Sequence, residues 1–163
     1  VMGIPANVDI ESLKAQLSAG NAAFEPATST ILDHATLEDA LLHANSLAAE
    51  DGGTVAVAFL DSTPTQLADL RDIAQDLQLS TTHDTVIIQA PGGVGAASDT
   101  LTRAQIEIGE HALISSVPER GPASFIEAAQ SAESIIPWGL LVVLATATIL
   151  AVLGATLTRT FRQ

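Results

Sequence analysis

The chain has 163 residues, a formal net charge of −13 and no cysteine, which excludes disulfides, thiolate metal sites and a cysteine nucleophile. All 19 Asp and Glu lie within residues 1–133, against four Lys and Arg, so that part carries a net −15. It is unsuited to nucleic acid or to an anionic lipid surface, because both need cations to release counterions.

Residues 1–133 are long enough for one domain with its own core, and the N-terminal stretch shows no basic-then-apolar leader pattern. Asp9 stands where an N-cap accepts free amides, and Ile10, Leu13 and Leu17 follow at helical spacing until Gly20 and Asn21 stop the run. Residues 21–33 are mostly Ala, Thr, Ser and Pro, with Phe24, Ile31 and Leu32 for burial, and read as a surface connector with room for one short strand. Thr36 followed by Asp39 reads as a capping box, and Leu37, Ala40, Leu41, Ala44, Leu47 and Ala48 form an apolar stripe that ends at EDGG. TVAVAFLD is short and continuously apolar, which predicts a strand over 54–60 covered on both faces.

Beyond the turn STPT a second helix places Leu67, Leu70, Ile73, Ala74 and Leu77 inward and Asp69, Arg71, Asp72, Gln75 and Asp76 outward. TVIIQAP gives another buried strand over 85–90, and strand, helix, strand in this order predict a right-handed parallel βαβ unit. The glycine-rich PGGVGAASD reads as a turn at the end of that strand. In TLTRAQIEIGEHALIS, Ile106 and Ile108 alternate as in a strand, whereas Leu101, Ala104, Ile108 and Ala112 suit a helix. The reading adopted is a short strand over 103–108 and then a helical turn. SVPERGP is a break, and FIEAAQSAES a last helix.

Residues 134–158, SIIPWGLLVVLATATILAVLGATLT, contain no charge, and as a helix of about 37 Å they would cross a hydrocarbon core of about 30 Å. Pro137 and Trp138 suit one interface, and Arg159 and Arg162 the other. Cations flanking a span stay in the cytoplasm. The expected organisation is therefore an acidic extracytoplasmic α/β domain over 1–133, a single transmembrane helix over 134–158 and a short cytoplasmic tail over 159–163. Ala147, Ala151 and Ala155, with Gly154 beside them, form a row of small residues that lets another helix approach closely. The absence of ionisable groups from the span argues against a proton or ion relay.

Catalytic signals are weak. His34, His43, His83 and His111 stand in four separate contexts without metal spacing, and read as surface or capping histidines. STTHD brings Ser80, His83 and Asp84 close in sequence, but neighbours in a loop seldom face one another as a triad must. PGGVGAASD has glycines for an anion nest yet lacks the lysine of a phosphate loop, and reads better as a mobile or partner-contacting loop. Asp61, Asp84 and Asp99 are the weak metal candidates near strand ends, without the pattern of a calcium loop. No cofactor is expected.

Taken as a set, LEDALLHANSLAAE, TVAVAFLD, LADLRDIAQDL, TVIIQAP and the run from Arg103 through Ile106-Glu107-Ile108 to Gly109 resemble, over residues 37–109, the layout of the TPM family of envelope domains. The run FLDSTPTQLADLRDIAQDL, then DTVIIQAP, SDTLTRAQIEIGEHAL and the lone C-terminal span, is similar to small actinobacterial membrane proteins often encoded beside NlpC/P60 cell-wall endopeptidases. The resemblance implies a small TPM-like sheet with a βαβ unit flanked by helices. It also implies an extracytoplasmic role, and for some TPM domains phosphatase activity or Ca²⁺ binding, for which Asp61, Asp84 and Asp99 are the residues on offer. The expected function is a non-catalytic accessory or scaffolding protein docked on an integral membrane complex, for example a respiratory assembly. The alternatives are a regulator of cell-wall hydrolase machinery and a weak TPM-type phosphatase or Ca²⁺ module.

Overall fold

The computed structural model describes residues 5–51 and 53–133. The expected span and tail, with Trp138, Ala147, Ala151, Gly154, Ala155, Arg159 and Arg162, lie outside the described residues. Among the described residues, no helix is long and apolar enough to cross a membrane.

The elements run α1 (Ile10–Ala19), β1 (Ala22–Phe24), α2 (Thr28–Ile31), α3 (His34–Ala48), β2 (Val55–Phe59), α4 (Ala68–Ser80), β3 (Thr85–Ala90), β4 (Gly93–Ser98), α5 (Arg103–Ser115) and α6 (Gly121–Glu133). The fold is mixed α/β: four strands in the order β1-β2-β3-β4, the first three parallel and β4 antiparallel to β3. Every residue of β2 is buried, as its unbroken apolar run predicts. Alternate residues of the sheet feed two cores. Ala56, Ala58, Val86 and Ile88 meet Leu13 and Leu17 of α1 and Leu70, Ile73 and Leu77 of α4. Val55, Val57, Phe59 and Ile87 meet Leu37, Leu41 and Ala44 of α3, Ile106 and Leu113 of α5 and Phe125 and Ile126 of α6. The described unit is thus helix, sheet, helix in layers.

The parallel strands lie side by side in chain order, yet α3 crosses one face of the sheet and α4 the other. The β1–α3–β2 and β2–α4–β3 crossovers therefore have opposite hands, and one departs from the right-handed rule that pattern alone invokes.

Several local expectations are corrected. Asp9 caps α1 through the Ser12 amide, but α3 is capped by Asp33 rather than Thr36, whose hydroxyl donates to Asp33 at 2.7 Å. Asp33 precedes Thr36 by three residues, so the cap sits one turn earlier than the Thr36–Asp39 spacing suggests. Leu67 is 60% exposed, because it precedes the first turn of α4.

The glycine-rich segment is not a loop: Gly93–Ser98 is β4, joined to β3 by Pro91 and Gly92. A Cβ on Gly95 would stand 2.8 Å from the Leu70 carbonyl carbon and 2.9 Å from the Arg71 nitrogen, so the glycine serves close helix-to-strand packing rather than a turn.

The strand expected over 103–108 is the start of α5. Thr102 and Gln105 form a reciprocal capping box there, and Ile106, Gly109 and Leu113 point inward. Neither periodicity weighed for this stretch chose that face, because Gly109, which packs against the Phe125 ring, counts as apolar in neither pattern.

Side chains finish the ladder where strands run out. The Gln16 amide pairs with both backbone groups of Phe24 on the outer edge of β1, at 2.9 Å and 3.0 Å. Asn45 does the same for Val55, at 2.8 Å and 3.0 Å, where β2 extends beyond β1. Such backbone groups would otherwise be left without partners at a cost of about 1–3 kcal/mol each where buried.

Candidate functional site

The sequence candidates fall at two ends of the sheet. Asp61 follows β2 and turns back on α2, accepting the Ala27 amide at 3.0 Å and the Thr28 amide at 2.8 Å. Burial pushes its pKa up, but the Ala27 and Thr28 donors outweigh that and hold the carboxyl below the usual carboxylate value. Its own amide donates to Glu25 at 2.6 Å. Glu25, just past β1, is only 9% exposed. These two acids line a polar cleft of about 650 Å³ with Asn7, Asp9, Gln16 and Ser62. The cleft lies beyond the C-terminal ends of β1 and β2, where open α/β sheets hold ligands. Glu25 went unnoticed in the sequence, although an acid immediately after Phe24 mirrors Asp61 two residues after Phe59.

Asp84 and Asp99 lie at the opposite end. The Asp84 carboxylate accepts the Thr54 amide and hydroxyl, each at 2.8 Å, and the Asp99 amide donates to the Asp84 carbonyl at 3.0 Å. From Thr54 to Asp61 the chain climbs the length of β2, roughly 20 Å at about 3.3 Å per residue. Asp61, Asp84 and Asp99 therefore do not converge, and the metal-centred hydrolase arrangement that needs all three is not formed. Among the described residues, no group of three or more His, Asp or Glu is placed to hold a metal ion.

The histidines are likewise apart. His34 Nε2 lies 2.7 Å from the Ser29 carbonyl, and its ring centroid 4.9 Å from that of Phe24. His43 Nε2 meets a Glu127 oxygen at 2.9 Å and links α3 to α6 on the surface. His83, expected as a surface or capping residue, is only 9% exposed and caps the end of α1, with Nε2 at 2.9 Å from the Leu17 carbonyl and 3.1 Å from that of Gly20. With His83 committed to α1 and Asp84 to Thr54, STTHD forms no triad. PGGVGAASD forms no anion nest, because Gly93–Ser98 is an extended strand whose amides alternate in direction: Gly92 donates to the Thr63 hydroxyl, Ala96 to Glu110, and alternate residues of β4 pair with β3.

Opposite β3, the outer edge of β4 faces Glu110 of α5, whose carboxylate accepts the Ala96 amide at 2.9 Å and meets Arg71 of α4 at 3.4 Å. The helical pattern sets Arg71 on the outward face of α4 but cannot reveal Glu110, because the pair spans 39 residues and forms only when α4 and α5 flank the same strand.

Neither curated proteins nor solved structures give a match to the chain. A protein family described as membrane protein Rv1476 matches residues 3–163. The match takes in the α/β unit and continues through the charge-free stretch beyond it, and the chain accordingly belongs to the membrane protein Rv1476 family.

Proposed function

We propose that the chain is a non-catalytic accessory protein of a membrane complex, with a TPM-like α/β domain over 1–133 outside the cell, one span over 134–158 and a cytoplasmic tail over 159–163. The observation that carries the proposal is the family match, which runs unbroken across the acidic domain and the charge-free stretch. It makes a membrane setting common ground for both parts. The occupied carboxylates support the non-catalytic part: Asp61 and Asp84 are spent on amides and a hydroxyl of the fold itself.

In this reading the row Ala147, Ala151 and Ala155, with Gly154, is the helix-docking face, and Trp138, Arg159 and Arg162 seat the span in the bilayer. The partner in this reading is an integral membrane assembly, such as a respiratory complex, or cell-wall hydrolase machinery.

Extraction in mild detergent, affinity purification and mass spectrometry should recover the chain with other integral membrane proteins, and Ala151→Leu should release them. Recovery of the chain alone overturns the docking role. A topology reporter at the N-terminus that reads cytoplasmic overturns the outer-face assignment.

A further inference from the structure

The outer edge of β4 is a trough with a bar across it. In an antiparallel pair both backbone groups of a residue point the same way, and the direction alternates along the strand. Because the Ala96 amide points away from β3 to Glu110, the amides and carbonyls of Val94 and Ser98 point outward too. The Val94 amide, the Val94 carbonyl and the Ala96 carbonyl have no hydrogen-bond partner among the described residues. Two cavities lie along this edge. One, of about 520 Å³, is lined by Leu67, Gly93, Val94, Glu110 and Ile114. The other, of about 220 Å³, is lined by Arg71, Leu79, Ala96, Ser98 and Arg103. The Arg71–Glu110 pair stands between them, joining α4 to α5 across the strand. At the rims, Leu67, Ile114 and Leu79 are 60%, 69% and 66% exposed.

We propose that the β4 edge is a strand-addition site for an extended segment of another protein, apolar at alternate positions and carrying Lys or Arg, and that Glu110 with Arg71 holds the site closed. Outward amides and carbonyls two residues apart match the repeat of an extended backbone, which supplies the complementary donors and acceptors. Alternate side chains of the added segment would meet the Leu67 and Leu79 rim on one side and the Ile114 rim on the other. Its carbonyl would replace the Glu110 carboxylate on the Ala96 amide, so Glu110 occupies the edge until a partner arrives.

Charge selects the occupant. Residues 1–133 carry −15, so two copies repel edge to edge while a cationic segment is drawn in. Every residue involved lies in the described domain, so the site stands apart from the docking role of the span.

The test is titration of the ¹⁵N-labelled full chain, in detergent micelles, with an eight-residue synthetic peptide alternating Val and Lys. The Val94 and Ala96 amide signals should shift and become protected from exchange, while those of β1 stay fixed. Glu110→Ala should tighten binding about tenfold, since a charge-assisted bond no longer competes, and Arg71→Ala should tighten it less. Val94→Pro removes an amide that β3 does not use, which an edge strand tolerates, and should abolish binding while the other amide signals persist. The proposal is overturned if Val94 and Ala96 stay unmoved at millimolar peptide in both the wild type and Glu110→Ala. It is equally overturned if Val94→Pro binds as tightly as wild type, or if Glu110→Ala dimerises in light scattering without taking up peptide, which would assign the edge to a second copy.

Discussion

Replacing Gly95 by alanine adds one methyl group where there is no room for it. The new Cβ would lie 2.8 Å from the Leu70 carbonyl carbon, 2.9 Å from the Arg71 nitrogen and 2.9 Å from the Leu70 Cβ. Unstrained carbon contacts sit at about 3.5–4.0 Å, so the overlap is about 0.6 Å or more against three atoms at once. Two of these are backbone, so no rotamer change relieves the clash. Helix α4 must retreat from β4, drawing Leu70, Ile73 and Leu77 from the core they share with Ala56, Ala58 and Val86. Overpacking of this kind costs about 1–3 kcal/mol, and a backbone clash belongs at the upper end, about 2–3 kcal/mol. In a domain of this size that lowers Tm by roughly 8–12 °C. The assay is thermal melting of the full chain followed by circular dichroism, with Gly20→Ala as control. A Cβ at Gly20 meets nothing within 4 Å, and its φ of −167° is ordinary extended backbone. The control should melt within a few degrees of wild type. A Gly95→Ala protein as stable as that control would refute the close packing of α4 on β4, and with it the reason the segment contains glycine.

Three further outcomes follow from the geometry. Asn45→Ala leaves the Val55 amide and carbonyl without partners and should cost about 2–3 kcal/mol in urea denaturation; a loss below about 0.5 kcal/mol would mean water replaces the side chain there. Thr102→Ala removes the cap of α5 and should cost about 1 kcal/mol, seen as faster hydrogen exchange in the first turn of α5 and not in α4; equal acceleration in both helices counts against a local cap. Asp61 has a lowered folded pKa, so its contribution is fully present above the unfolded value of about 3.9 and is lost as pH falls through the folded value. The Tm gap between wild type and Asp61→Asn should therefore be constant from pH 7 to about pH 5 and narrow below about pH 4; a gap unchanged down to pH 2.5 would show that the carboxylate charge is not what the Ala27 and Thr28 amides hold.

Four of the helices, α1, α3, α4 and α6, and the two buried strands were legible because burial imposes a period that a single segment displays by itself. Leu13 and Leu17 in α1, Leu37, Leu41 and Ala44 in α3, and Leu70, Ile73 and Leu77 in α4 carry the helical stripe, and the runs over 54–60 and 85–90 carry the signature of strands covered on both faces. The misreadings of β4 and α5 share one cause. Gly95 and Gly109 are buried against other elements, where a missing side chain is the packing requirement, but a hydrophobicity pattern reads glycine as a break. Hence β4 passed for a loop and α5 for a strand. The same shift affects the TPM resemblance at one point, since the Arg103–Gly109 segment quoted as an edge is helical here.

The candidate site was less legible than the fold. Asp61, Asp84 and Asp99 were rightly placed near strand ends, and the parallel βαβ unit already sets Asp61 and Asp84 at opposite ends; only the place of Asp99 required the antiparallel pairing of β4 with β3. Glu25 and Glu110 gained meaning only through partners far along the chain, Asp61 in one case and Ala96 with Arg71 in the other.

The sequence by itself determined what composition and short-range periodicity can carry: one acidic unit with a core, a βαβ segment within it, a charge-free stretch long enough to span a bilayer, and no cysteine chemistry. The tertiary structure alone decided the opposite hands of the two crossovers, the antiparallel β4, the place of Asp99 beside Asp84 and the bar across the β4 edge. Each of these depends on groups distant in sequence meeting in space, and the energy that selects them, from close packing at Gly95 to the Ala96–Glu110 bond, does not exist until both partners are in place.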